Sequence, residues 1–245
     1  MKNLKSNPKP CLPAGRSEIR NQKYLICFDL DGTLMDSMAG GNIMFFDMVD
    51  KEFGIDTAKL RNDRRVWAIA AEERFDMFWK KEVKAKGIKK EEIKDFMKRF
   101  RKKKQKVNFP ATRHAKGAVE LIVRHFKNTA CVSSNLKFML NGSLKRLGLR
   151  EYFKKIVGMD RVKHSKPNPE IYEKVIKLFG LPKKNCLTFE DSSVGIESAK
   201  RAGLKAIGVA TGVESVSDLK KTKADIVLPN LSELKIQMLY DLLGI

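Results

Sequence analysis

Cysteine is scarce in this 245-residue chain. The four present, Cys11, Cys27, Cys131 and Cys186, lack the paired spacing that binds zinc. Three fall in short apolar runs that read as buried strands, where cysteine behaves as a small hydrophobe. They suggest structural thiols in a reduced, cytoplasmic protein. No apolar run approaches the roughly 20 residues of a membrane helix, so no membrane partner is expected. The stretch 1–22 is basic and proline-containing and lacks the apolar segment of a secretory signal. Glu18 and the scarcity of serine argue against a transit peptide, and the stretch reads as a poorly ordered tail. Internal repeats are absent. Negative charge is also short: 29 Asp+Glu face 50 Lys+Arg, a formal net charge of +21. Such an excess attracts anions broadly, whether nucleic acid, anionic surface or phosphorylated small molecules. It is concentrated between Lys80 and Lys106 and densest over 99–106, where few aromatics are interleaved for base stacking. A run of this kind is ordinarily a solvated helix face.

What is present is an alternation of periods. The segment 24–29 is a short apolar run, the pattern of a strand buried on both faces, and it stops at two carboxylates, Asp29 and Asp31, followed by Gly32. The pattern then becomes helical: Met44, Phe45, Met48, Val49 and Phe53 recur at three- and four-residue spacing, with Gly54 closing the helix. Further helices are predicted over 65–83 and 90–104. From 115 onward helices (117–126, 136–147, 169–179, 194–202) alternate with short strands (129–133, 156–158, 186–189, 206–209, 225–227). Strands alternating with helices imply a parallel sheet. The expected fold is therefore α/β, a doubly wound parallel sheet (Rossmann-like core) with an inserted α-helical domain. Its expected boundaries are a tail over 1–22, a core over 23–36 and 112–245, and a helical cap over 37–111.

Polar residues stand where strands end. Ser133-Ser134-Asn135 follows one strand, Glu190-Asp191 another, and Lys166 precedes a helix that Pro169 starts. If the sheet is parallel, all converge with Asp29 and Asp31 at the carboxyl edge, where open α/β sheets bind ligands. A carboxylate there can attack an electrophile or hold a hard divalent ion, and a second one can move a proton. Asp29 and Asp191, with Glu190 as a further candidate, offer oxygen ligands to Mg²⁺. Lys166 offers a point charge to a phosphate oxygen or to Asp29. Ser133 and the Ser134 amide can donate to transferring oxygens. Phosphoryl transfer needs such fixed donors and cations, because positioning and electrostatics stabilise its transition state. The alternatives are a surface lysine at Lys166, an N-cap at Asn135, and a cap for the next helix from Glu190-Asp191.

These segments together resemble the four motifs of the haloacid dehalogenase-like hydrolase superfamily, in the branch containing β-phosphoglucomutase and small sugar-phosphate phosphatases. They are Phe28-Asp29-Leu30-Asp31-Gly32-Thr33-Leu34, Val132-Ser133-Ser134-Asn135, Ser165-Lys166-Pro167-Asn168-Pro169-Glu170-Ile171-Tyr172 and Phe189-Glu190-Asp191-Ser192. The resemblance implies a phosphoric monoester hydrolase in which Asp29 is the nucleophile that becomes an aspartyl-phosphate. Asp31 would be the acid and then the base, its backbone carbonyl binding Mg²⁺. Ser133 and Lys166 would hold the phosphoryl group, and Asp191 with Glu190 would complete the metal site. The insertion would be the cap that closes over a small phosphorylated metabolite, in a monomer. Mutases of this branch carry a cap-hinge histidine some twelve residues after the nucleophile, where this chain has Gly40-Gly41, and no basic cap loop matches around Asn62-Asp63-Arg64-Arg65. The superfamily's dehalogenases replace the acid that Asp31 retains. Hydrolysis is the reading that remains; the others are phosphosugar transfer on the same site and a catalytically vestigial basic protein binding RNA. Of the cap arginines, Arg64, Arg65 and Arg74 are candidates for substrate contact, salt bridging or solvent exposure.

Overall fold

A computed structural model of the chain describes residues 22–61, 63, 66–67, 71 and 73–245. Residues 1–21, with Cys11, and positions 62, 64, 65, 68–70 and 72 lie outside the described residues, as do the expectations placed on them.

Six parallel strands form one sheet: β1 (Leu25–Phe28), β2 (Asn128–Val132), β3 (Lys155–Val157), β4 (Cys186–Glu190), β5 (Lys205–Val209) and β6 (Ile226–Leu228). Their order is β3-β2-β1-β4-β5-β6, so the first strand stands at the centre. The chain fills one side of β1, then crosses back to fill the other, leaving the crevice at which doubly wound sheets bind ligands beside β1. Register decides what meets there. Phe28 lies opposite Phe189, and the Asp29 amide donates to the Phe189 carbonyl at 3.0 Å, so the residues ending β1 and β4 become neighbours.

The helices of the core, in chain order after the insertion, are α6 (Ala115–His125), α7 (Lys137–Arg146), α8 (Glu170–Phe179), α9 (Ser193–Ala202), α10 (Val216–Leu219) and α11 (Ile236–Leu243). Alternation along β1 sends Ile26 and Phe28 into one apolar cluster with Val119, Ile122 and Leu140. Leu25 and Cys27 enter another, with Tyr172, Val175, Ile196 and Ala199. A strand covered on both faces must be apolar throughout, which is why 25–28 shows no polar alternation. Cys27, Cys131 and Cys186 are buried and unpaired, as their apolar settings predict.

The insertion contributes α1 (Met38–Phe53), α2 (Ala58–Arg61), α3 (Glu73–Phe78), α4 (Lys80–Ala85) and α5 (Lys90–Lys106). Gly54 ends α1 with φ 59°, a left-handed conformation that glycine adopts without strain. The insertion has its own apolar cluster, centred on Phe45, whose ring meets those of Phe46, Phe75, Trp79, Phe96 and Phe100. The helix expected over 65–83 is interrupted: α3 ends at Phe78, Trp79 bends the chain, and α4 starts at Lys80. Burying Trp79 against Phe45 and Phe75 takes precedence over a continuous hydrogen-bond ladder. Three short helices, α2, α10 and α11, lie beyond the elements expected from periodicity.

Both linkers of the insertion are fastened to the loop after β1. Met35 bridges to Asp31 and Ala111, the Asp36 amide donates to the Pro110 carbonyl (2.9 Å), and Thr112 Oγ1 donates to the Thr33 carbonyl (2.6 Å). The helical unit thus leaves and re-enters the core beside Asp31. Among the described residues, no helix is long and apolar enough to cross a membrane.

Candidate active site

The loop after β1 turns back at once because Gly32 takes φ 85°. Asp29 is buried at the strand's end, and the turn leaves Asp31 largely enclosed, 13% of its side chain exposed. Lys166 comes from the loop before α8. Its Nζ donates to Asp29 Oδ1 at 2.7 Å and to Glu190 Oε1 at 2.6 Å. Burial alone would push Lys166 toward neutrality, but the two carboxylates outweigh it and hold its pKa well above the ordinary lysine value. The expectation of a lysine facing the strand ends is met; the surface-lysine alternative is not.

Glu190 is held from two sides. Its Oε1 accepts from Lys166 and from the Tyr172 hydroxyl, which also pairs with Thr188 Oγ1 at 3.2 Å. Its Oε2 packs where a Gly195 side chain would stand: a β-carbon there would lie 2.0 Å away. Neither Glu190 nor Asp191 caps α9; Ser192 does, accepting from the Gly195 amide at 3.2 Å.

Asp29, Glu190 and Asp191 place carboxylate oxygens within 4.8 Å of one another, all buried. Burial raises the Asp29 pKa most and, with Glu190 and Asp31 nearby, outweighs Lys166, pushing it up to about 8. Burial and the charges of Asp29 and Glu190 also push Asp191 well above the carboxylate range. Asp191 Oδ2 is buried without a hydrogen-bond partner. A buried carboxylate oxygen left unpaired costs on the order of several kcal/mol unless a cation meets it. Three crowded carboxylates, one with an orphaned oxygen, form an all-oxygen donor set that fits a hard divalent ion such as Mg²⁺.

Asp31 is set differently. Its Oδ1 accepts from Ser37 Oγ (2.5 Å) and Lys104 Nζ (2.9 Å), and its Oδ2 from Asn135 Nδ2 and, at 3.5 Å, Ser133 Oγ. Burial would raise its pKa, but Lys104 and these hydrogen bonds outweigh it and hold the carboxyl below its usual value. Asn135 is therefore a ligand of Asp31 and not an N-cap: Leu136 occupies the cap position of α7, with no side-chain cap.

A cavity of about 160 Å³ lies over these groups. Its core wall includes Asp29, Asp31, Ser133, Ser134, Lys166 and Asp191. Its opposite wall comes from the insertion: Met38, Asn42, Trp67, Met97, Phe100, Arg101 and Lys104 among others. Arg74 also lines it, but the guanidinium donates to the Trp67 carbonyl (3.0 Å) and lies over the Phe45 ring at 4.9 Å. Burial lowers its pKa to about 10. At 4% exposure it is not a surface arginine.

Sequence reasoning missed Ser37, Lys104 and Tyr172 as members of the site. Lys104 sits in a run of lysines, yet it continues the buried stripe of Met97 and Phe100 at three- to four-residue spacing, and that spacing was the available signal.

A parallel α/β sheet thus gathers carboxylates and a lysine at the ends of its central strands, facing an inserted helical unit across one cavity, an arrangement of the kind that binds ligands in this class of fold. Comparison with known proteins makes the class specific. The profile of the haloacid dehalogenase-like hydrolases matches residues 26–209, and the chain belongs to that family. It is 30% identical over 202 residues to a phosphorylated carbohydrates phosphatase of Thermotoga maritima, covering 80% of this chain and 88% of that protein. In fold it is similar to β-phosphoglucomutase from Clostridium difficile (TM-score 0.74, 22% identity, 90% of this chain and 97% of that one). It is likewise similar to a family hydrolase from Entamoeba histolytica (TM-score 0.75, 24% identity, 91% and 100%).

Proposed function

We propose that this chain is a Mg²⁺-dependent phosphatase that hydrolyses a small phosphomonoester through an aspartyl-phosphate on Asp29. The observation that carries the reading is the convergence of Asp29, Lys166 and Asp191 at one strand edge, beneath a cavity that the core and the insertion line together. Asp29 attacks phosphorus while the bond to the leaving oxygen breaks. Asp31, entering the cycle in its protonated form, delivers that proton to the leaving oxygen and is re-protonated by the water that attacks the acyl-phosphate. Phosphate leaves and the Asp29 carboxylate is restored. Lys166, Ser133 and the Ser134 amide hold the phosphoryl oxygens, and Glu190, with Tyr172, holds Lys166 in line.

Asp29, Asp191, Glu190 and the Asp31 carbonyl are the groups that would hold Mg²⁺. The ion would supply charge stabilisation to the transferring oxygens. In this reading the insertion over 37–111 is a cap on the core of 23–36 and 112–245, and its closure excludes water from the acyl-phosphate. The named phosphatase relative supports a phosphorylated carbohydrate or similar metabolite as substrate.

Phosphosugar transfer is the second reading, favoured by the likeness in fold to a mutase. At the position where mutases carry a hinge histidine, Gly41 offers no side chain, which favours hydrolysis.

Release of phosphate from an aryl phosphate with Mg²⁺ tests the proposal. Asp29→Asn should lower turnover by about 10³-fold or more with the fold intact. Acid-quenched wild type should carry a borohydride-reducible phosphate at Asp29. Undiminished turnover in the variant would overturn the assignment, and isomerised substrate without phosphate release would favour transfer.

A further inference from the structure

Lys104 is a cation of the insertion that reaches a carboxylate of the catalytic centre. It stands on the last turn of α5, its side chain 16% exposed, and its Nζ lies 2.9 Å from Asp31 Oδ1 across 73 residues of sequence. The stem crosses over Gly41 of α1: a β-carbon at Gly41 would lie 3.3 Å from Lys104 Cε. A side chain at 41 would crowd the path by which the ammonium reaches the core. Met38, Met97 and Phe100 are among the apolar residues that line the same cavity from the insertion, with Asn42 and, one turn before Lys104 on α5, Arg101. The neighbouring lysines Lys102, Lys103 and Lys106 are exposed, so position on the helix and not local composition selects Lys104.

We propose that Lys104 sets the substrate class: phosphomonoesters whose leaving alcohol carries a second anionic group, a carboxylate or another phosphate, close to the ester oxygen. The inference rests on the phosphatase reading, in which Asp31 meets the leaving oxygen. Whatever is attached to that oxygen then lies against the Lys104 ammonium. When Asp31 turns to the leaving oxygen, its hold on the ammonium loosens inside a partly dry wall, and a cation left so is costly. A carboxylate or phosphate on the leaving group replaces the lost partner; a neutral polyol replaces it with weaker, uncharged acceptors.

Matched pairs test this with the full-length chain and Mg²⁺: 2-phosphoglycolate against 2-hydroxyethyl phosphate, and 3-phosphoglycerate against glycerol 3-phosphate. Wild type should favour the anionic member by about tenfold or more in kcat/KM, a difference of about 1.4 kcal/mol. Lys104→Met should collapse the anionic-to-neutral ratio by about that factor, and Lys104→Arg should retain it. Any loss shared by both members reports on Asp31 positioning and cancels in the ratio. Equal kcat/KM for both members in wild type would overturn the proposal. So would a ratio unmoved by Lys104→Met, or rejection of both pairs by an enzyme that still cleaves an aryl phosphate. Absence of phosphate release from every phosphomonoester would instead remove the phosphatase reading, and this inference with it.

Discussion

Gly212 lies directly against Asp191: a β-carbon at 212 would stand 1.8 Å from Asp191 Oδ2, and one at Gly32 would stand 2.1 Å from the same oxygen. Two backbone segments far apart in sequence thus close around one carboxylate oxygen that has no hydrogen-bond partner. The Thr211 hydroxyl ties them together, donating to the Gly32 carbonyl at 2.7 Å. Gly212→Ala must displace the Asp191 carboxylate, since a short side chain on a rigid strand end has little room to yield. Turnover should fall about tenfold or more, and the Mg²⁺ concentration for half-maximal rate should rise; a metal titration of the rate checks both.

Crowded carboxylates make a second expectation counter to ordinary mutational experience. At alkaline pH, where the raised pKa values of Asp29 and Asp191 leave both ionised, Asp191→Asn removes one of three buried like charges. The metal-free variant should therefore melt higher than metal-free wild type, by a few degrees for about 1 kcal/mol. Millimolar Mg²⁺ should raise the wild-type melting temperature, because it binds the folded state alone, and leave the variant unmoved. Thermal melts with EDTA and with Mg²⁺ give all four values.

Tyr172 reaches the site from α8 through its hydroxyl, which donates to Glu190 Oε1 and pairs with Thr188. Tyr172→Phe keeps the ring packed but leaves Glu190 with Lys166 as its remaining side-chain donor at that oxygen. The loss should be about 1–2 kcal/mol in chemical denaturation. The kcat should drop several-fold with KM nearly unchanged, as the Lys166 position slackens.

The acid limb of stability has an identifiable contributor away from the site. Asp225 Oδ2 accepts from Lys200 Nζ and from the Ala206 amide, each at 2.7 Å, joining α9 to the start of β5. Burial would raise its pKa, but the Lys200 hydrogen bond and the amide outweigh it and hold it below the ordinary value. A depressed folded-state pKa stabilises the protein above the unfolded carboxyl's value near 3.9, and that stability is lost as pH falls through the lower folded value. Asp225→Asn should cost about 1 kcal/mol at pH 7, and the difference from wild type should vanish at acidic pH. Denaturation midpoints measured across pH test the sign.

Phe45 is enclosed by five aromatic rings and the Arg74 guanidinium. Phe45→Ala should destabilise the insertion by about 3–5 kcal/mol. Limited proteolysis should then cut first within 38–106, while the core strands stay protected, and activity should fall because the insertion supplies one wall of the cavity.

How much of this was legible in the chain differs from element to element. The apolar run at 25–28 ending in Asp29, and the like runs ending at Ser133 and Asp191, are local patterns. A strand buried on both faces writes itself into consecutive residues, and the turn after it calls for a residue such as Gly32. Once those strands are taken as parallel, their polar ends share one sheet edge; the meeting of Asp29 with Glu190 needs in addition that β4 lies beside β1 with Phe28 opposite Phe189. The break at Trp79 was not legible, because an apolar helical stripe continues through it and only the aromatic cluster around Phe45 selects the bend. Asn135 misled for a similar reason: a polar residue before a helix has the local signature of a cap, whereas its partner, Asp31, lies 104 residues away.

The sequence by itself determined the sheet, the inserted helical unit and the chemical types at the strand ends, because burial and turn formation act on neighbouring residues and leave periodic traces. Only the tertiary structure decided that Lys104 among several lysines faces Asp31, that Tyr172 steadies Glu190, and that Gly212 makes room for Asp191. Each is a contact between distant segments, set by how a helix is rotated or a loop is closed. A hydrogen bond or a missing β-carbon at that range changes no local pattern.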